Sequence, residues 1–153
     1  MKLSHVDQAG RARMVDVGDK PMMDRTAVAS GSIRMSQEAF RQVADQLVAK
    51  GDVLTVSEVA GTLAAKRTAE LIPLCHPLGL DLVEVEARLD DTLPGVRMRA
   101  SVRSVGRTGV EMEALTAVAV ALLTVYDMVK AVDAAMVISD VQLVEKKKAP
   151  VNG

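Results

Sequence analysis

Between Glu113 and Asp127 the chain reads ALTAVAVALLTVY, an apolar run without a single charge. A helix that is apolar nearly all the way round must be covered on most of its sides. The run is too short, and its flanking carboxylates too close, for a bilayer span, which needs about 20 apolar residues. It therefore predicts a buried core helix over roughly residues 111–132, entered through GRTG. Its polar exceptions fall on one side. At about 100° per residue, with Asp127 as zero, Thr116 lies near about −20°, Glu113 near +40°, Thr124 near +60° and Lys130 near −60°. Glu111 points elsewhere. Such a stripe either faces solvent or forms a polar groove between apolar walls, as a ligand pocket or subunit interface does. Its two carboxylates and lysine could settle as an ion-pair network or hold pKa values suited to proton transfer. Met112 and Met128 sit at helical spacing and read as gap-fillers.

The remaining elements give that helix something to pack on. LDLVEVEARL (80–89) alternates Val83, Val85, Ala87 and Leu89 with Glu84, Glu86 and Arg88. After DDTLPG, VRMRASVRS repeats the alternation with basic residues outward, so the two segments predict an antiparallel hairpin. RTAVASGSIRM (25–35) and MVISDVQLVEK (136–146) read as strands, and ARMVDVG as a short edge segment. SQEAFRQVADQLVAKG predicts a helix capped by Ser36 and stopped by Gly51, with Lys50 in its last turn. A second helix opens with the capping box Thr55–Glu58 and runs to about Ala69, before Pro73. The order is strand, helices, strand, strand, helix, strand. That is an α+β, ferredoxin-like βαββαβ plan, one antiparallel sheet with helices on one face. One domain spans 1–153, with an N-terminal extension over 1–20 and a solvated, mobile tail over 147–153.

Composition narrows the function classes. With one Phe, one Tyr and no Trp, the core must be aliphatic. A net charge of −1 argues against general nucleic-acid binding, which wants a strongly basic face. One cysteine excludes an internal disulfide framework, and MKLSHVDQAG has no apolar signal segment. A cytoplasmic, soluble chain with no membrane partner is expected.

KRTAELIPLCHP (66–77) gathers a Lys-Arg pair, the only cysteine, one of two histidines and two prolines. Pro73 and Pro77 stiffen the backbone around Leu74, Cys75 and His76, as a loop that holds a ligand requires. Adjacent residues in an extended segment point to opposite faces, so Cys75 and His76 do not form a nucleophile–base pair. A structural zinc site wants about four ligands, a poor match to one cysteine and two distant histidines. Cys75 reads as a small buried residue. Lys66 and Arg67 read either as a solvated patch or as a phosphate grip. No GxxxxGK[ST] and no strand-following GxGxxG is present, so side-chain cations would have to hold any phosphate.

AAKRTAELIPLCHPL and GRTGVEMEALTAVAVALLTVYDMVKAVD together resemble the cyclic pyranopterin monophosphate synthase family of molybdenum-cofactor biosynthesis. ARMVDVG, AKGDVL and DMVI extend the resemblance over nearly the whole chain. Where members commonly have Trp-Asp after KRT, this chain has Ala69-Glu70, a difference that concerns helix packing. The resemblance implies a phosphorus–oxygen lyase that converts cyclised dihydro-GTP to cyclic pyranopterin monophosphate and diphosphate. It implies no redox cofactor, with magnesium at most accompanying the triphosphate, and no metal among the site residues. It also implies a homohexamer, a trimer of dimers with sites at subunit interfaces, which would cover so apolar a helix. Carried residue by residue, substrate contacts fall on Leu74, Cys75 and His76, and on Met112 and Glu113. Catalytic roles fall on Asp127, Lys50 and Lys130, and Lys66 and Arg25 are further, substrate-binding cations. A buried Asp–Lys pair would supply proton transfers, and positive charge would help expel diphosphate. Two other readings stand beside it: a nucleotide-sensing module of the same fold, and a metal-dependent phosphohydrolase using Glu113 and Asp127.

Overall fold

The computed structural model describes residues 3–152. Four strands form one antiparallel sheet in the order β2-β3-β1-β4. They are β1 (Met23–Arg34), β2 (Leu82–Asp90), β3 (Gly95–Gly106) and β4 (Val137–Pro150). The helices are α1 (Gln37–Ala44), α2 (Val53–Lys66), the single turn α3 (Thr68–Leu71) and α4 (Glu111–Val129). α4 packs on β1, β3 and β4, while α2 packs on β2 and on α4. This is the expected α+β, ferredoxin-like-type arrangement, with β3 inserted between the strands that α1 to α3 connect.

The predicted hairpin forms in register, with Val85 opposite Ala100 and Glu86 opposite Arg99. Its inward residues Val96, Met98, Ala100 and Val102 are buried, as are Ala27, Ala29 and Ile33 of β1. Ala114, Ala117, Val118, Ala121, Leu122 and Val125 of α4 close the same aliphatic core. Small residues let the layers approach. A Cβ on Gly61 of α2 would lie 2.9 Å from the Ala117 carbonyl oxygen of α4. α4 is long and apolar enough to cross a membrane, yet 56% of that stretch is buried inside the fold. It is a core helix.

Several boundaries differ from the sequence reading, α2 among them, which ends at Lys66 instead of about Ala69. α1 stops at Ala44 rather than at Gly51, because Gln46 takes the left-handed conformation (φ 56°). The Leu47 N–H then bonds the Gln42 carbonyl and the Gln46 N–H that of Val43, a Schellman closure made without glycine. Gly51 (φ 106°) instead serves the following turn, which carries Lys50. α2 is capped by Asp52, which accepts from the Thr55 N–H at 3.2 Å and the Thr55 hydroxyl at 2.6 Å. The Thr55–Glu58 capping box does not form. α4 ends at Val129 instead of 132. The expected mobile tail is a strand through Pro150, its Lys146, Lys147 and Lys148 opposite Ala27, Thr26 and Arg25. ARMVDVG is not a strand, and only an isolated bridge, Val6 with Ala12, marks the segment before β1.

Candidate active site

The loop after α3 and the start of α4 meet at a cavity of about 220 Å³. Leu74, Cys75, His76 and Leu78 supply one wall; Thr108, Gly109, Glu111, Met112 and Glu113 supply another. The loop is tied to β3. The Ser104 hydroxyl donates to the Gly79 carbonyl at 2.6 Å, and the Val105 N–H donates to the Asp81 carboxylate at 2.8 Å. Five of the seven expected substrate-binding residues, Leu74, Cys75, His76, Met112 and Glu113, therefore share one cavity. They come together because Gly106–Val110 turns β3 directly into α4 beside that loop.

Glu113 dominates its chemistry. It is 5% exposed, and its Oε2 has no hydrogen-bond partner. Burial pushes its pKa up to about 7, the negative Glu111 adds to the rise, and a backbone hydrogen bond opposes it. A carboxyl in that state exchanges a proton near neutral pH. Burial and then the Glu113 charge push the Cys75 thiol up, so it is not an activated nucleophile. Glu111 lies off the stripe, as the helical angles require. It still lines the cavity, since the helix begins there, and it pairs with Lys146 at 3.0 Å.

Lys66 ends α2 and shares a smaller cavity of about 110 Å³ with His76 and Glu113. Arg25 does not line the main cavity. Its guanidinium donates to the carbonyls of Gly106 at 3.0 Å and Arg107 at 3.1 Å, bracing the turn that presents Thr108 and Gly109.

The expected catalytic trio forms a separate cluster. Lys50 Nζ donates to Asp127 Oδ2 at 2.9 Å and to the Asp127 carbonyl at 3.1 Å. Lys130 Nζ donates to Asp127 Oδ1 at 2.8 Å. The hydrogen bond from Lys130, then that from Lys50, holds the Asp127 carboxyl down at about 2. Asp127 in turn raises the Lys130 ammonium. The three side chains are 50–56% exposed, so the pair expected to be buried lies at the surface.

The polar stripe of α4 therefore divides. Glu113 and Thr116 are buried at one end, Thr124 bonds the Val120 carbonyl, and Asp127 and Lys130 are exposed at the other. Asp127 follows Glu113 by fourteen positions, about 21 Å along the axis. One chain does not unite them in a single groove, and they are too far apart to share a metal ion. Among the described residues no three His, Cys, Asp or Glu side chains gather as a metal ligand set.

Sequence reasoning missed several cavity or near-cavity residues. His5 and Lys20 line the main cavity together with Val15 and Val17 of the N-terminal segment. Glu111 and its partner Lys146 flank it. No local pattern marks His5, Lys20 or Lys146, which the chain folds in from positions remote in sequence, whereas Glu111 stands two residues from Glu113 and Val15 and Val17 lie within ARMVDVG.

Residues 14–149 match the family model described as the MoaC family. The chain is 57% identical over 145 residues to a cyclic pyranopterin monophosphate synthase of Thermomicrobium roseum, covering 95% of this chain and 87% of that one. It is 54% identical over 145 residues to proteins of that name from Brucella ovis and Brucella canis, covering 95% of this chain and 88% of each.

Proposed function

The chain belongs to the MoaC family, and we propose that it is the lyase of molybdenum-cofactor biosynthesis that acts on (8S)-3',8-cyclo-7,8-dihydroguanosine 5'-triphosphate. The products are cyclic pyranopterin monophosphate and diphosphate. The observation that carries this reading is 54–57% identity over 95% of the chain to relatives bearing that enzyme's name. The site's chemistry agrees. An oxygen of the substrate must attack the innermost phosphorus while diphosphate leaves, and positive charge stabilises the charge that develops. Lys50 and Lys130, both bonded to one carboxylate, suit that task. Asp127, at about 2, is too weak a base to begin proton transfer, and it serves by aiming two ammoniums. Ring opening and pterin closure need a group that titrates near neutrality. Glu113, at about 7 beside His76, suits that part. No redox cofactor has a role here, and magnesium would enter only with the triphosphate.

The finer assignment concerns assembly. If two copies cross antiparallel near Val120, midway between Glu113 and Asp127, the Glu113 end of one meets the Asp127 end of the other. The exposed apolar residues of that layer, Leu123 at 57%, Val59 at 54% and Leu63 at 48%, are suited to an interface. A dimer of this kind, repeated as a homohexamer, yields composite sites. The test is turnover of the cyclised dihydro-GTP by purified protein. Lys50→Ala and Glu113→Ala each should lose at least about 100-fold. Hybrids refolded from a mixture of the two variants should regain a substantial share of activity. Hybrids as inactive as their parents, in correctly sized oligomers, would put both groups to work within one chain. A wild type that binds nucleotide without turnover would favour the sensing module.

A further inference from the structure

The chain has two histidines, 71 positions apart, and both line the same cavity. His76 arrives on the proline-stiffened loop. His5 arrives on a small hairpin over residues 5–13, whose geometry is specified by its own residues. The Asp7 carboxylate accepts from the N–H groups of Ala9 and Arg11, both at 2.9 Å, and from Arg11 Nε at 3.1 Å. The Arg13 N–H donates to the His5 carbonyl at 2.8 Å, and Val6 bridges Ala12. The hairpin is thus a stiff unit that seats His5 by its backbone and leaves the imidazole uncommitted. Among the described residues neither imidazole has a hydrogen-bond partner. Across the cavity, Glu113 Oε2 is likewise unpartnered.

Glu113 Oε2 is buried and unpartnered, which implies a ligand that brings its own donor; His76, half-buried, and His5, exposed to solvent, line the same cavity with imidazoles free to meet that ligand. We propose that His5 is a substrate-contacting residue, which the 5–13 hairpin places at the cavity that takes the cyclised nucleotide. This deepens the functional reading above and rests on it. His5 donates one hydrogen bond to the ligand or accepts one from it.

Two measurements test this. In kinetics, His5→Ala lowers kcat/KM about 10–100-fold, the scale of one hydrogen bond lost. Added imidazole restores part of the rate to His5→Ala. It restores nothing to Asp7→Ala, which loosens the hairpin but leaves no imidazole-sized vacancy. Unchanged kcat/KM in His5→Ala, or a loss that imidazole does not relieve, overturns the proposal. In the second measurement, GTP is the probe and needs no turnover. Histidine ¹³Cε1 signals, two in number and assigned with the His5→Ala variant, both shift on addition. A shift of His76 alone overturns the role of His5 and leaves the functional reading standing. No shift in either signal, with no turnover by wild type, overturns both.

Discussion

Glu113 is a carboxyl 5% exposed with one oxygen unpartnered, and such a group resists ionisation. Its raised pKa has a thermodynamic consequence. The folded state keeps the proton up to about 7, whereas the unfolded chain releases it near 4.5. Its contribution to stability is therefore whole below pH 4.5 and is lost as pH rises through 7. A shift of that size corresponds to roughly 3 kcal/mol at most. Urea unfolding of wild type and Glu113→Gln at pH 5 and pH 8 checks this. The wild type should lose more stability than the variant between the two, and equal slopes would refute the assignment. Asp127 runs the opposite way. Its depressed pKa favours the folded state above 3.8, and that advantage fades as pH falls through about 2.

At the scale of elements, the α2–α4 contact decides how closely the helical layer closes on the sheet. Gly61 lies at a close approach, with the Ala117 backbone carbonyl oxygen, Val85 and Ala121 all within 3.2 Å of where a Cβ would stand. Backbone cannot yield as a side-chain tip can. Gly61→Ala should cost about 1–3 kcal/mol, the usual penalty of overpacking, despite alanine's better helix propensity. A lowered urea midpoint reads the effect; an unchanged or raised midpoint would mean the layers can separate freely. Boundaries were the part of the elements least open to sequence reasoning. Leu47 and Val48 continue the apolar spacing of α1, so periodicity extends a helix whose backbone has already turned at Gln46. A non-glycine residue in the left-handed region carries no compositional mark. In β4 the sequence correctly places Lys146, Lys147 and Lys148 in solvent, but exposure of side chains says nothing of backbone pairing. The N–H and C=O groups at the start of β1 find their partners there, and lysines are common residues of such an edge.

At the scale of the whole molecule, one end of α4 carries the cavity and the other the Lys50–Asp127–Lys130 cluster, with exposed Leu123 between them. Leu123→Glu places a charge in the middle of the proposed contact. Light scattering should then show smaller particles, and turnover should fall at least about 10-fold with circular dichroism unchanged; a full-sized, active oligomer would remove α4 from the interface. The sequence by itself determined the strand alternation, the buried helix, the aliphatic core and the family, because periodicity and motif residues are local properties of the chain. It also placed Leu74 to His76 beside Met112 and Glu113, through the resemblance. Tertiary structure alone decided that the polar stripe is two sites instead of one groove, that His5 joins His76, and that Asp127 is exposed while Glu113 is buried. Helical angles give a direction around an axis. What stands in that direction depends on which distant segments pack there, and those contacts are written nowhere along the helix itself.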